Sequence, residues 1–313
     1  MANWECYKLL YELKTPIHIG SGKKYGIIDR TRYYVPGKTM WGATVAEIGN
    51  QKELKENKKW GSLKKSLCSP LKFTYFYIFD KNEENEPQIP KYGENGLKFG
   101  LKGDNKSRSE FEKDYIGSFV STGVEKETGS ASEGDLYEIE VIEDRRNRCN
   151  ERLCILGYVF INVDEFEELN GLEEENFIDW VNELQIGGER KYGYGEIELD
   201  KKERIDLENE TENKTIFNNW EIHNLSSNNP IIKSKDSDNE GNNIFGHLLL
   251  DESTLKDIDS IRGDLEPLIG RVYDGSEGQK AECTGIGLSP GSKTKMNKLE
   301  ISKYGTLKPL TEN

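Results

Sequence analysis

Three glycine-bearing segments hold the side chains whose types and spacing could do chemistry. Pro16-Ile17-His18-Ile19-Gly20-Ser21-Gly22-Lys23-Lys24 directly follows an apolar stretch, and its glycines permit the close backbone approach that a phosphate needs. Val35-Pro36-Gly37-Lys38-Thr39-Met40-Trp41-Gly42-Ala43 turns the chain into a helix whose N-terminus can hold an anion. Ile186-Gly187-Gly188-Glu189-Arg190-Lys191-Tyr192-Gly193-Tyr194-Gly195 places two cations and two tyrosines in one loop, where cations contact phosphates and aromatic rings stack on bases. Each segment has a plainer reading as well. An ordinary turn uses Gly-Ser-Gly, a helix stop accounts for Gly187 and Gly188, and His18 between two isoleucines reads as a packed histidine. Arg190-Lys191 and the Gly193-Tyr194-Gly195 spacing are what a turn leaves unexplained. Position 32 is Arg32 where a Walker phosphate loop needs its first glycine, so an ATPase is a poor reading.

The elements that must position these loops follow from periodicity. Tyr7 to Leu13 reads as a strand ending at Thr15-Pro16. Thr39 is placed to cap a helix that runs to Glu47 or Ile48 and stops at Gly49, and a lysine-rich helix follows over 54–67. Phe73 to Phe79 is an apolar run expected as one buried strand; Leu136 to Ile142 alternates as a half-buried strand, and Leu153 to Val163 is another strand. Phe177, Trp180, Val181 and Leu184 fall at helical spacing before Gly187-Gly188, and Tyr194 to Leu199 reads as a strand. Residues 81–133, rich in Gly, Asn, Lys and Glu, read as a protruding insertion. The order strand, helices, strand, strand, helix, strand predicts an α+β, ferredoxin-like βαββαβ core over 1–200. A polar linker over 201–214 and a β-rich unit over 215–313, with one short helix near Ser253 to Ile261, complete the expectation.

Composition narrows the function. The 313 residues carry 57 acidic and 43 basic side chains, a formal charge of −14, which argues against nonspecific binding to a polyanion and requires any RNA contact to be local. The acids concentrate around 83–86, 165–175 and 203–212 and read as solvated faces. No run long and apolar enough to span a membrane occurs, and Met1 to Leu10 does not resemble an export signal. The five cysteines form no C-x-x-C pair, which fits a reducing cytoplasm and predicts no structural metal site.

Taken together, the strand, the His-Ile-Gly loop, the Pro-Gly turn into the first helix and the late glycine-rich loop resemble the RAMP superfamily of CRISPR-associated proteins over about residues 7–200. Ser121 to Glu140 is similar to the thumb-like β-hairpin of the Cas-seven backbone subunits in that family. The resemblance implies an RNA-recognition-motif-like core in a guide-RNA-binding subunit of a type III-like interference complex, with guide RNA, target RNA and other effector subunits as partners. Residue by residue it assigns Gly20, Ser21, Gly22, Lys38, Arg190, Lys191, Gly193 and Gly195 to RNA contact. Lys23, Lys24, Arg30 and Arg32 are added from charge and placement, so that seven cations in two short regions form a basic groove in an acidic chain.

Asp29 matches the loop position of the aspartate that type III backbone subunits use to cleave target RNA, a role that would call for a divalent metal or acid–base chemistry. The loop from His18 to Asp29 is shorter than the family pattern, and an ion pair with a neighbouring arginine is the simpler alternative. Within the same superfamily a Cas-five-like subunit would cap the 5′ handle without catalysis, and a Cas-six-like enzyme would process the precursor. His223 and His247 lie in no recognisable motif for the latter. From a different class, an acidic interaction protein with no RNA role stays open.

Overall fold

The computed structural model describes residues 2–310 except 53–56, 82–85, 95, 101–104, 124–126, 128–135, 170–176, 178–179, 207–213, 218–219, 236–240, 251–261 and 274–278; the side chains of 23–25, 57–58, 271–273, 279–282 and 284 are also left aside. The expected helix near Ser253 to Ile261 and the tip of the expected thumb hairpin lie outside the described residues.

Strand β1 (Trp4–Leu13) alternates its side chains between two cores. Tyr7, Leu9, Tyr11 and Leu13 enter one, and Trp4 and Cys6 the other. The hairpin of β2 (Gly20–Tyr25) and β3 (Ile28–Thr31) and the short β4 (Tyr34–Val35) lead into α1 (Gly37–Gln51) and α2 (Asn57–Ser66). Helix α1 starts two residues before the predicted cap Thr39, with Pro36 at the N-cap. Gly49 does not stop it; any Cβ there would overlap the ring of Trp60 on α2, so this glycine serves close helix packing.

The apolar run 73–79 is two strands, β5 (Leu71–Phe73) and β6 (Phe76–Phe79). The break comes at Thr74, whose hydroxyl accepts from the Tyr158 amide at 2.8 Å in place of a regular ladder bond. Next come β7 (Pro90–Gly93), β8 (Gly96–Phe99), β9 (Lys106–Ser107) and α3 (Arg108–Tyr115), the last closed by a capping box between Ser107 and Glu110. Phe99, Phe111 and Tyr115 are buried in the main core, so this part of the expected insertion is packed onto the body.

Strand β10 (Ile116–Ser121) pairs antiparallel with β11 (Tyr137–Ile142), and β11 runs parallel to β3. Strand β12 (Cys154–Asn162) is buried throughout, as a central strand covered on both faces must be. Then come α4 (Val163–Glu167), β13 (Glu183–Gln185) and β14 (Glu196–Arg204). Phe177, Trp180 and Val181 are helical and buried as their spacing predicts, but Leu184 belongs to β13. Gly187 and Gly188 thus follow a strand and are not a helix stop. Strand β14 reaches Arg204, into the segment read as a linker.

The principal sheet has the order β13-β14-β1-β12-β6-β4, with β5 also on β12. Its β14-β1-β12-β6 ladder is antiparallel throughout. One face packs on α1 through Met40, Val45 and Ile48. The other face packs on β-structure formed by β15 (Thr215–Ile216), β16 (Trp220–Asn224), β17 (Ile231–Ser234), β18 (Asn242–Asn243), β19 (Leu248–Leu249), β20 (Leu265–Tyr273), β21 (Gln279–Leu288), β22 (Lys293–Thr294), β23 (Lys298–Ile301) and β24 (Leu307–Pro309). Within that half, β15-β16-β17-β23-β24-β19-β21-β20 is one continuous sheet. Leu156, Tyr158 and Phe160 share this second core with Phe217, Trp220, Phe245 and Leu307. Each such side chain stabilises by about 1.5–3 kcal/mol when fully buried, so the contact between the halves is a core and not a loose docking surface. The fold is therefore mixed α+β and strand-rich. Among the described residues, no helix is long and apolar enough to cross a membrane.

Candidate nucleic-acid interface

The loop of Gly187, Gly188 and Gly195 is fastened to the His18 loop through the backbone. Gly188 N–H donates to His18 O at 2.8 Å, Gly195 N–H to Pro16 O at 3.0 Å, and Ile186 N–H to Gly195 O at 2.8 Å. Gly187 and Gly195 adopt φ of +79° and +94°, and a Cβ at either would overlap a carbonyl, that of His18 or of Ile186. His18 Nδ1 lies 2.7 Å from Glu140 O, so this histidine is structural. From that root, a single turn over Arg190–Tyr192 projects outward, beginning after Glu189 at a left-handed φ of 52°. Arg190 and Lys191 are exposed, and Tyr192 is 68% exposed.

Helix α1 begins opposite this loop. Gly37 is required there because a Cβ would stand 2.6 Å from Tyr304 O, and the turn Ser302 to Thr306 packs backbone-close against the start of the helix. No side chain caps the first turn of α1 and no acid lies in it, so its N–H groups and macrodipole favour an anion. Lys38 reaches over the Tyr304 ring, 5.4 Å from its centroid. Tyr304 itself holds a left-handed φ of 60°, rare for a side-chain-bearing residue.

Between these elements lies a cleft of about 880 Å³. Among the described residues, its lining includes Arg32, Lys38, Arg190, Lys303 and Lys308 and no aspartate or glutamate. Arg32 is paired with Glu266, so Lys38, Arg190, Lys303 and Lys308 are the four remaining cations, with no carboxylate among the described lining residues, a local reversal in a chain of net charge −14.

One wall of the cleft holds a polar chain. Tyr75 Oη and His247 Nδ1 are 2.6 Å apart, His247 Nε2 stands 3.2 Å from Glu266 Oε2, and Arg32 donates to the same oxygen at 2.7 Å. Burial pushes the His247 imidazole below its ordinary value. Burial alone would raise the Glu266 carboxyl, but the His247 hydrogen bond and the Arg32 charge outweigh it and hold it at about 2. An ionised carboxylate only accepts, so Nε2 carries the His247 proton and Nδ1 accepts from Tyr75.

The RAMP superfamily model matches residues 10–198, more than half of the sequence. The chain belongs to the RAMP superfamily. Among solved structures, this RAMP protein is similar to a chain of the Type III-B Cmr-beta bound to cognate target RNA and AMPPnP, with TM-score 0.53, 14% identity, and coverage of 91% of this chain and 84% of that one. The Type III-B Cmr-beta bound to cognate target RNA aligns at TM-score 0.49 and 13% identity, covering 91% and 85%. No curated protein matches in sequence.

Of the positions expected to touch RNA, Gly20, Lys38 and Arg190 from the family resemblance and Arg32 from charge and placement line the cleft. Ser21 and Arg30 line a smaller hollow of about 170 Å³ that shares Arg32 with it. Arg30 and Arg32 are both ion-paired, to Glu140 at 2.9 Å and Glu266 at 2.7 Å. Gly22 is exposed on the β2 hairpin, and the side chains of Lys23 and Lys24 fall outside the described residues. Lys191 and Gly193 sit on the exposed turn, whereas Gly195 is buried at its root.

Asp29 lies on β3 in register with Lys24 and does not line the cleft. Among the described residues, no cluster of His, Cys, Asp and Glu could hold a metal. Lys303, Tyr304, Lys308, His247 and Glu266 were not legible as site residues, since each depends on chain returning from the far half of the sequence.

Proposed function

We propose that this chain is a guide-RNA-binding subunit of a multisubunit RNA-guided interference complex, gripping single-stranded RNA backbone in the cleft between α1, the 186–195 loop and the C-terminal half. The described lining, with four cations besides the ion-paired Arg32 and no carboxylate, carries this reading. The uncapped N-terminus of α1 adds backbone donors suited to a phosphate. Membership of the RAMP superfamily, and the likeness in fold to a chain of an assembly bound to cognate target RNA, support it. We read the β14-β1-β12-β6 order, with helices after the first and third strands in sequence, as a ferredoxin-like core over 1–200. The β-rich unit over 215–313 completes the cleft. Lys38 and Arg190 meet phosphate, Lys191 and Tyr192 meet RNA at the rim, and Gly187 and Gly195 hold the loop in shape. Arg30 and Arg32, already neutralised by carboxylates, serve the frame.

Fluorescence anisotropy with a single-stranded RNA 20-mer across a potassium chloride series tests this reading. Each phosphate neutralised contributes a slope of about −0.7 in log K against log salt. The Lys38→Gln/Arg190→Gln double variant is expected to shallow the slope by about 1.4. Absence of RNA binding at low salt by the folded wild-type chain, alone and assembled with co-expressed neighbours, favours the acidic interaction protein instead.

A further inference from the structure

The C-terminal β-ribbon carries an exposed apolar row that the backbone-gripping role does not use. On β20 the residues alternate, with Leu265, Pro267 and Ile269 outward and Glu266 and Leu268 partly covered. Leu265 is 59% exposed and Ile269 63%. Across the ribbon Pro267 pairs with Ile286, itself 53% exposed, so the row widens into a patch. Scattered exposed apolar residues need no explanation, but a contiguous patch on an edge strand does.

Three observations say what covers it. Pro267 and Ile269 line the same cleft as Lys38, Lys303 and Lys308, so one occupant faces an apolar wall and a cationic floor together. Gly270, whose Cβ direction is opposite to that of Ile269, lies so close to Lys38 Nζ that a Cβ would overlap it, which puts the cation against β20, the strand that carries the apolar row. Glu266 is the acid on this strand beside the cleft, and Arg32 and His247 turn its charge away. A strand of RNA fits such a surface, because it presents regularly spaced anions on one edge and flat, weakly polar bases on the other.

We infer that β20 is a nucleobase-stacking wall: unpaired bases of the RNA lie on Pro267, Ile269 and Ile286 while their phosphates meet Lys38, Lys303 and Lys308. This inference rests on the RNA-binding reading above and adds a base-dependent contribution to it from a part of the chain beyond the matched residues 10–198.

The test uses the full-length chain and two probes, a single-stranded oligouridine 12-mer and the same backbone with abasic sites. Ile269→Ser is expected to weaken oligouridine binding about five- to tenfold with an unchanged salt slope, and to leave the weaker abasic probe unaffected. Gly270→Leu, which fills the cleft beside Lys38, should weaken both probes. Lys303→Gln/Lys308→Gln should shallow the salt slope for both.

If the charge variants weaken RNA binding while wild type and Ile269→Ser bind the two probes alike, the wall is overturned and the backbone grip survives. If the wild type binds neither probe, the RNA reading itself fails. Release of a co-purifying protein by Ile269→Ser, with RNA affinity unchanged, would instead make the ribbon a protein-docking edge and overturn the inference.

Discussion

Arg32 and Glu266 form an ion pair at 2.7 Å although 234 positions separate them in the chain. Arg32 follows the β2–β3 hairpin and Glu266 sits on β20, so the pair ties the ribbon to the principal sheet beside the cleft. Through Glu266 the tie extends to His247 and Tyr75.

Removing one partner of a largely shielded pair leaves the other charge uncompensated. Arg32→Gln is therefore expected to lower stability by about 2 kcal/mol or more, and Arg32→Gln/Glu266→Gln to recover part of that loss. Urea midpoints at unchanged m-values read the coupling.

The His247 imidazole is held below its ordinary value of 6.5 by burial, so the unfolded chain takes up a proton that the native chain resists. The stability this contributes is complete above pH 6.5 and is lost as the pH falls through the lower folded value. The fall in melting temperature between pH 7 and pH 5 should be smaller in His247→Asn than in wild type. For Glu266, held at about 2 against 4.5, the stabilising window opens above pH 4.5 and closes as the pH falls toward 2.

Lys72 is buried against Trp4, its ammonium 5.2 Å from the ring centroid, and also contacts Asn229. Burial lowers its ordinary value of 10.5 to about 8. The native chain then favours the neutral amine, a contribution complete above pH 10.5 and lost as the pH falls through 8. Lys72→Met should stabilise the protein at pH 7 by on the order of 2–3 kcal/mol and by less at pH 10, measured by urea unfolding at both pH values.

Gly187 and Gly193 both take positive φ, but only Gly187 has a carbonyl where a Cβ would go. Gly193→Ala should cost about 1 kcal/mol, the ordinary penalty of a left-handed alanine, and Gly187→Ala about 3 kcal/mol with loss of the loop's shape. Equal costs in thermal unfolding would show that the docking of the loop on His18 is not what demands glycine.

Asp29 stands apart from the cleft lining, so Asp29→Ala is expected to leave RNA affinity unchanged within a factor of about two. A complementary RNA cut by the assembled wild type and left intact with this variant would assign Asp29 the catalytic role its loop position suggests.

Local pattern made the central strands of the principal sheet legible. Tyr7 to Leu13 and Leu136 to Ile142 alternate because each strand presents opposite faces to different surroundings, a period-two signal that needs no partner to be visible. The same logic failed where packing outranked local chemistry. Gly49 reads as a helix stop but serves Trp60, and the Phe73–Phe79 run breaks at Thr74, whose hydroxyl takes the Tyr158 amide.

By itself the sequence determined the strand-rich α+β class and placed Gly20, Lys38 and Arg190 among the candidate residues, since turns, caps and charge are properties of neighbours along the chain. Only the tertiary structure decided that these three share a cleft, that Lys303 and Lys308 join them, and that Arg30 and Arg32 are already neutralised. A site's charge is a sum over side chains brought together from both halves, and no local pattern records which carboxylates end up beside which cations.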